Sequence, residues 1–159
     1  MEIKQSLRSL TIGQYSFKKA ISFFLCDFYN LKSLSIHSYS FSQGNGQFAI
    51  WNCTYLESII FGDYVFENYF APFNISSLNS LQHLSFGSYA FKYSSSLFLS
   101  SLPNLTTITL GSYAFSYSNT FSISNLDSLT ELIIENYGLE KANIISIRST
   151  QHTLGISYR

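Results

Sequence analysis

One eleven-residue motif recurs six times along this chain, and its fixed spacing constrains the fold more than any other feature. The clearest copy, Leu105 to Phe115, reads LTTITLGSYAF. The other copies begin at Leu7, Leu31, Leu56, Leu81 and Leu129, so the differences between successive starting positions are 24, 25, 25, 24 and 24 residues. A constant period of this length is typical of a solenoid, in which no coil buries its apolar face alone. The sequence therefore predicts a single domain over residues 1–159, built from about six stacked coils.

Each coil contains two apolar segments that indicate short strands. Within the motif, apolar residues such as Ile108 and Leu110 alternate with polar ones. A second segment of the form F-x-I-x-x-L follows, as in Phe121 to Leu126. The stretch between Phe115 and Leu129 is too short for an average helix once its turns are subtracted. We expect a parallel strand, an extended return segment and little helix. Glycine readily adopts a positive φ, so we also expect the chain to bend at the glycines that follow the first strand. They are Gly13, Gly62, Gly87 and Gly111.

Stacking of like residues predicts three internal ladders. The first opens each motif and comprises Leu7, Leu31, Leu56, Leu81, Leu105 and Leu129. The second closes it and comprises Phe17, Phe41, Phe66, Phe91, Phe115 and Leu139. The third opens the return segment and comprises Phe23, Phe48, Phe73, Leu97, Phe121 and Ile145. Cys53 takes a core position of the return segment, where burial is expected. Cys26 falls in a different column, so a disulfide between these two cysteines is not favoured.

The period and the L-x-x-L-x-L pattern resemble those of leucine-rich repeats. The G-x-Y-A-F sequence, as in Gly87 to Phe91 and Gly111 to Phe115, resembles the BspA-like branch of that superfamily. The resemblance covers about Leu7 to Ile147, although the chain lacks the I-P dipeptide and the cysteine usual in that branch. It implies a leucine-rich-repeat solenoid with its strands on the concave side and its return segments on the convex side. It also implies protein or matrix binding, sometimes adhesion, at a cell surface and without catalysis.

Tyrosine stands at one position in every copy, where ordinary leucine-rich repeats carry asparagine. The six residues are Tyr15, Tyr39, Tyr64, Tyr89, Tyr113 and Tyr137. One interpretation is an architectural aromatic stack whose hydroxyls reach solvent or backbone. The other is an aromatic platform for sugar rings.

The outward-facing residues of the strand side form the candidate binding face. They are Arg8, Lys32, Ser33, Ser35, Glu57, Asp63, Gln82, His83, Thr107, Thr109 and Glu131. We expect a non-catalytic protein-interaction or adhesion module that uses this face, although the face is poor in the Trp, Tyr and Arg typical of hot spots. Alternatives are a structural spacer without a ligand, and carbohydrate or ice binding through the Ser/Thr/Tyr-rich surface, whose regularity Ile60 and Ile133 interrupt.

The expected partner is a protein, as the resemblance implies, with glycan as a further candidate, and composition argues against other classes. Nine basic and nine acidic residues give zero net charge and no basic stripe, so nucleic acid is not expected. No apolar run reaches the ~20 residues of a membrane span, so membrane insertion is not expected either. His37, His83 and His152 are scattered and no metal or nucleophile motif occurs, so we expect no enzyme activity, metal or cofactor.

The ends of the chain bear on assembly and location. The first residues lack the apolar core of a signal peptide, so the location is open, and is the cell surface only if the resemblance holds for a longer protein. A polar tail, Ser149 to Arg159, could cover one end of the solenoid. Because solenoids need caps, we expect a fragment of a longer array or a chain that associates end to end. Acceptor sequences for N-glycosylation begin at Asn52, Asn74 and Asn104.

Overall fold

The computed structural model describes residues 6–148 and the backbone of Gly155–Tyr158, and it forms a β-solenoid of about six coils with almost no helix. Each coil contributes one strand to a front sheet and one return strand on the opposite side. The front strands are β1 (Ser9–Ile12), β3 (Ser33–Ile36), β5 (Ser58–Phe61), β7 (His83–Phe86), β9 (Thr107–Leu110), β11 (Glu131–Ile134) and β13 (Gly155–Tyr158). The return strands are β2 (Phe23–Cys26), β4 (Phe48–Trp51), β6 (Phe73–Ser76), β8 (Ser96–Ser100), β10 (Thr120–Ser124) and β12 (Ile144–Arg148).

The front sheet is parallel and follows the repeat register throughout. Its seven strands pair in the order β1-β3-β5-β7-β9-β11-β13. Thr11 pairs with Ser35, Ser35 with Ile60, and Thr109 with Ile133, so each motif position forms a row across the sheet. Side chains alternate between half-exposed and buried along β3 and β9, as expected for a sheet with one face on the core. The predicted solenoid with parallel front strands and extended return strands is therefore confirmed.

The three predicted ladders form the core of the inner coils. Leu31, Leu56, Leu81 and Leu105 are fully buried, as are Phe66, Phe91 and Phe115. The prediction is wrong for two outer members, because the side chain of Phe17 is 62% exposed and that of Ile145 is 61% exposed. Phe17 belongs to the first coil, and among the described residues its ring stacks on Phe41 alone, so less of it is covered than in the inner coils.

The expectation that glycine makes the bend through a positive φ is wrong. No described glycine has a positive φ. The tyrosine of each motif and its closing phenylalanine, or Leu139 in the sixth copy, adopt it instead, as in Tyr89 (φ 61°) and Phe91 (φ 49°). Glycine is needed for a different reason, which is the close approach of neighbouring coils. A Cβ atom on Gly87 would lie 2.6 Å from the backbone nitrogen of Asp63. Contact with the preceding coil, and not the dihedral angle, therefore favours glycine at Gly62, Gly87 and Gly111, whereas His37 and Glu135 occupy the same column in two other coils.

Hydrogen bonds to the preceding coil and to the following coil hold the aromatic residues in this unfavourable conformation. A left-handed conformation costs an ordinary residue about 1–2 kcal/mol. The N–H of Tyr89 donates to the Ser112 carbonyl of the next coil at 2.9 Å, whereas the N–H of Phe91 donates to the Val65 carbonyl of the preceding coil at 3.0 Å. Each turn is thereby joined to the coils on both sides, and the bonds offset the strain.

The return strands form two separate sheets. One contains β2 and β4, and the other runs β12-β10-β8-β6. Within the described residues no strand pairing joins β4 to β6, although they belong to successive coils. The return side is therefore interrupted where the front side is continuous.

Two further expectations concern the cysteines and the tail. Cys53 is buried, as predicted, and both cysteines are free thiols. The predicted cover by the tail, Ser149 to Arg159, lies outside the described residues except for the backbone of β13, which pairs with β11.

The described residues contain no helix with the length and apolar character that a membrane crossing requires.

Candidate binding face

The front sheet places the eleven candidate residues on one side of the solenoid, and none of them is buried. His83, Thr107 and Glu131 are paired neighbours on β7, β9 and β11. Adjacent strands lie about 4.8 Å apart, so these side chains form one contiguous row. Arg8, Lys32, Glu57 and Gln82 precede their strands and form a second row along the same edge.

Two of these candidates neutralise each other. The Nζ atom of Lys32 lies 2.7 Å from Oε1 of Glu57, and both side chains are exposed to a similar degree. An exposed pair of this kind contributes ~0–1 kcal/mol. Its main effect is to cancel two charges at the edge of the face, which leaves that edge nearly neutral.

Asp63 has a structural contact that the sequence did not indicate. Its Oδ1 atom accepts a hydrogen bond from the backbone N–H of Ser88 at 2.8 Å. Glu135 makes a similar contact between the sixth and fifth coils, because its Oε2 atom accepts a hydrogen bond from the backbone N–H of Ser112 at 3.2 Å. These carboxylates therefore satisfy backbone donors of adjacent coils, which reduces what Asp63 can offer to a partner.

The front sheet has a shallow depression at the ends of β3 and β5, which gives this part of the face a concave surface. Its volume is about 280 Å³, and it is lined by Gln14, Ser35, Ile36, His37, Ser38, Ile60 and Gly62. The side chain of Ile60 is 47% exposed there. Sequence reasoning treated Ile60 as an interruption of a hydroxyl array, but it is the apolar centre of this depression.

The six tyrosines form a continuous ribbon that borders the front sheet, since each follows the end of its strand by three residues. Successive ring centroids are 5.0, 4.7, 4.7, 4.8 and 4.7 Å apart, and the planes of neighbouring rings differ by 15° or less. The predicted aromatic stack is therefore confirmed. Because both faces of each inner ring are covered, a sugar could reach only ring edges and hydroxyls. Burial, and then the neighbouring phenols, raise the pKa of Tyr64 and Tyr113.

A second aromatic cluster lies beyond the ribbon and was missed by sequence reasoning. The rings of Phe70 and Tyr93 are 5.7 Å apart, and those of Tyr93 and Tyr117 are 4.9 Å apart. The Nζ atom of Lys92 lies 5.0 Å from the Tyr93 ring, and that of Lys141 lies 4.3 Å from the Tyr117 ring, within cation–π range. An aromatic residue two positions after Phe in two successive copies was the signal for it.

The face has no arrangement of residues suited to a metal site in the part of the chain that the structure describes. No group of three or more His, Cys, Asp or Glu side chains there could hold a metal ion. His37 lines the depression, whereas His83 lies in a different row. The face therefore offers hydrogen-bonding groups, scattered charges and the outward-facing isoleucines Ile60 and Ile133.

Comparisons with family models, with curated proteins and with solved structures found no match to this chain. The resemblance to leucine-rich repeats and to their BspA-like branch therefore rests on the motif and its period alone.

Proposed function

We propose that this chain is a non-catalytic protein-binding or adhesion module of the leucine-rich-repeat type, and that it binds through the front sheet. The observation that supports the proposal is the continuous seven-stranded face, which carries the candidate polar residues around one exposed isoleucine. The resemblance further favours a partner at a cell surface.

The anatomy of the face supports a protein partner. Protein interfaces combine an apolar centre with a polar rim, and here Ile60 in its depression is surrounded by hydroxyls and amides. The strands are fixed by parallel pairing on both sides, so binding would order little backbone and would lose little conformational entropy. A partner that inserts one apolar side chain beside Ile60 and hydrogen-bonds to the surrounding rows fits this surface.

Capture experiments with paired variants test the proposal. Wild-type chain and the variants Ile60→Ser and Lys32→Glu/Glu57→Lys would be immobilised and exposed to extracellular matrix and surface proteins, with bound proteins identified by mass spectrometry. Ile21→Ser is the matched control, because Ile21 is also an exposed isoleucine but lies in the irregular segment before β2. We expect Ile21→Ser to capture the same proteins as the wild-type chain. Ile60→Ser should lose these proteins, and the charge exchange should change which of them are bound. Equal capture by all four proteins would remove the front sheet from consideration.

A structural spacer is the second candidate function. It is favoured by the ion pair between Lys32 and Glu57 and by the stacked rings of the ribbon, since these groups already have their interaction partners within the chain. A spacer predicts that the wild-type chain captures nothing specific, whereas an interaction module predicts a set that depends on Ile60.

A further inference from the structure

A tyrosine hydroxyl is inserted between the strands at the interruption of the return side. Between the first two coils the N–H of Phe23 donates directly to the Gln47 carbonyl at 2.8 Å. One coil later the matching groups belong to Phe48 and Pro72, and the hydroxyl of buried Tyr69 lies between them. It donates to the Pro72 carbonyl at 3.2 Å and is hydrogen-bonded by the backbone of Phe48. The hydroxyl replaces a direct bond of the ladder, which explains why β4 and β6 do not pair.

The same two strands frame a cleft at their other ends. The cleft has a volume of about 320 Å³, which is within the range of small-molecule sites. From the second coil it is lined by Ile50, Trp51, Asn52, Cys53 and Thr54, and from the third by Ser76, Ser77 and Asn79. The cleft therefore lies at the joint between the two return sheets, on the side of the solenoid away from the front sheet.

The lining selects for a neutral ligand with many hydroxyl groups. Among the described residues no charged side chain lines the cleft, and enclosing an ion without a partner is costly. Amides and hydroxyls offer both donors and acceptors. The side-chain nitrogen of Asn52 already donates to Oδ1 of Asp27 at 3.0 Å, which fixes the orientation of the amide and leaves its oxygen as an acceptor.

One of the lining residues, Trp51, carries an exposed aromatic side chain. The side chain of Trp51 is 43% exposed, and the ring of Phe24 packs against it edge to face at 6.3 Å. Among the described residues no ring is stacked parallel on this indole, in contrast to the tyrosines of the ribbon, so stacking does not occupy its faces. A polar cleft beside such a ring suits the alternating C–H and O–H surfaces of a pyranose.

We propose that this cleft is a binding site for a neutral carbohydrate, with Trp51 stacking on a sugar ring and with Asn52, Ser77 and Asn79 bonding to its hydroxyls. The site is distinct from the front sheet, so it can be present whether or not the proposed protein-binding function holds.

The single tryptophan of the chain provides a local readout. Chain produced in bacteria, with no sugar attached to Asn52, would be titrated with maltotriose, cellotriose, chitotriose and mannotriose while indole fluorescence and amide NMR shifts are recorded. We expect at least one of these to bind with a Kd of about 1 mM or lower. Trp51→Ala, followed by NMR, should weaken binding about tenfold or more, as expected for loss of an aromatic contact. Asn79→Ala should also weaken it.

Tyr55→Ala is the control, because Tyr55 is an exposed aromatic residue of the same coil but does not line the cleft. It should bind as the wild type does. The proposal is overturned if none of the four trisaccharides binds at about 10 mM, tenfold above the expected Kd. It is also overturned if Trp51→Ala binds normally with an unchanged NMR spectrum elsewhere, or if Tyr55→Ala loses binding to the same extent. Binding of a protein and not of a sugar at Trp51 would likewise overturn it.

Discussion

Truncation of Phe91 to alanine should be among the most damaging single changes in this chain. The side chain is fully buried, and its ring is stacked between Phe66 at 5.1 Å and Phe115 at 5.5 Å, with the Phe73 ring edge-on at 4.6 Å. Phe→Ala changes in cores cost about 3–5 kcal/mol through lost transfer free energy and a residual cavity.

The structure favours the upper end of that range. The walls of the cavity would be aromatic rings, and the turn that carries residue 91 is fixed by its bond to the Val65 carbonyl, so the site can collapse little. Alanine would also retain the positive φ of 49° and gain no relief of strain. We expect a loss of about 4–5 kcal/mol in the free energy of unfolding.

Phe17→Ala is a control from the same ladder position. Its ring is largely exposed, so truncation there should cost under about 1 kcal/mol. Urea denaturation followed by far-UV circular dichroism would compare the midpoints of both variants at equal slope. A loss below about 1 kcal/mol for Phe91→Ala, or equal losses at the two positions, would refute the ladder reasoning.

Three further predictions test contact, titration and thiol accessibility. Gly87→Ala should destabilise the fold by about 1–3 kcal/mol because its Cβ meets the backbone of the preceding coil, whereas Gly13→Ala, which meets only a serine hydroxyl at 3.7 Å, should be neutral or slightly stabilising in thermal melts. Partial burial raises the pKa of Tyr64, so ionisation of this phenol costs more in the folded chain than in the unfolded chain. Ultraviolet titration should show late ionisation, and stability should fall as the pH rises from about 10 through the folded-state pKa. Burial also raises the pKa of the Cys53 thiol, so iodoacetamide at pH 8 should alkylate half-exposed Cys26 first in the native chain, as peptide mass mapping would show.

Each of these has a contrary result. Equal effects of alanine at Gly87 and Gly13 would mean that coil contact does not select glycine. A phenol titration with no late component, or a stability that is flat above pH 10, would contradict the burial of Tyr64. Alkylation of Cys53 at the rate of Cys26 would contradict the predicted core position.

The period and the alternation of apolar residues were sufficient to predict the solenoid, because stacking of equal coils leaves few other ways to bury the ladders. The details of the bend could not be predicted in this way. Glycine is ambiguous in a sequence, since it marks either a positive φ or a close approach, and here the second reason applies. Positive φ at Tyr89 and Phe91 is uncommon for bulky residues and depends on bonds to two neighbouring coils.

The candidate binding rows were also predictable, since they follow from register once the strands are known. The depression at Ile60 and the cleft at Trp51 were not, because each depends on one residue that departs from the repeat. Tyr69 illustrates the difficulty, since its effect on the return strands arises from one hydroxyl group placed between Phe48 and Pro72. The residues that differ from the repeat consensus determine the shape of both sites, and a consensus sequence averaged over the six copies does not show them.

The tyrosine ribbon has an optical consequence. Phenol rings held parallel at about 5 Å couple their ultraviolet transitions, so the near-ultraviolet circular dichroism of the stack should exceed that of isolated residues and depend on how many adjacent rings remain in contact. Stability in a solenoid is approximately a sum of coil and neighbour terms, and loss of structure can begin at an end. Fraying of an outer coil would shorten the coupled row by one ring, and the ribbon would record the event without any added label.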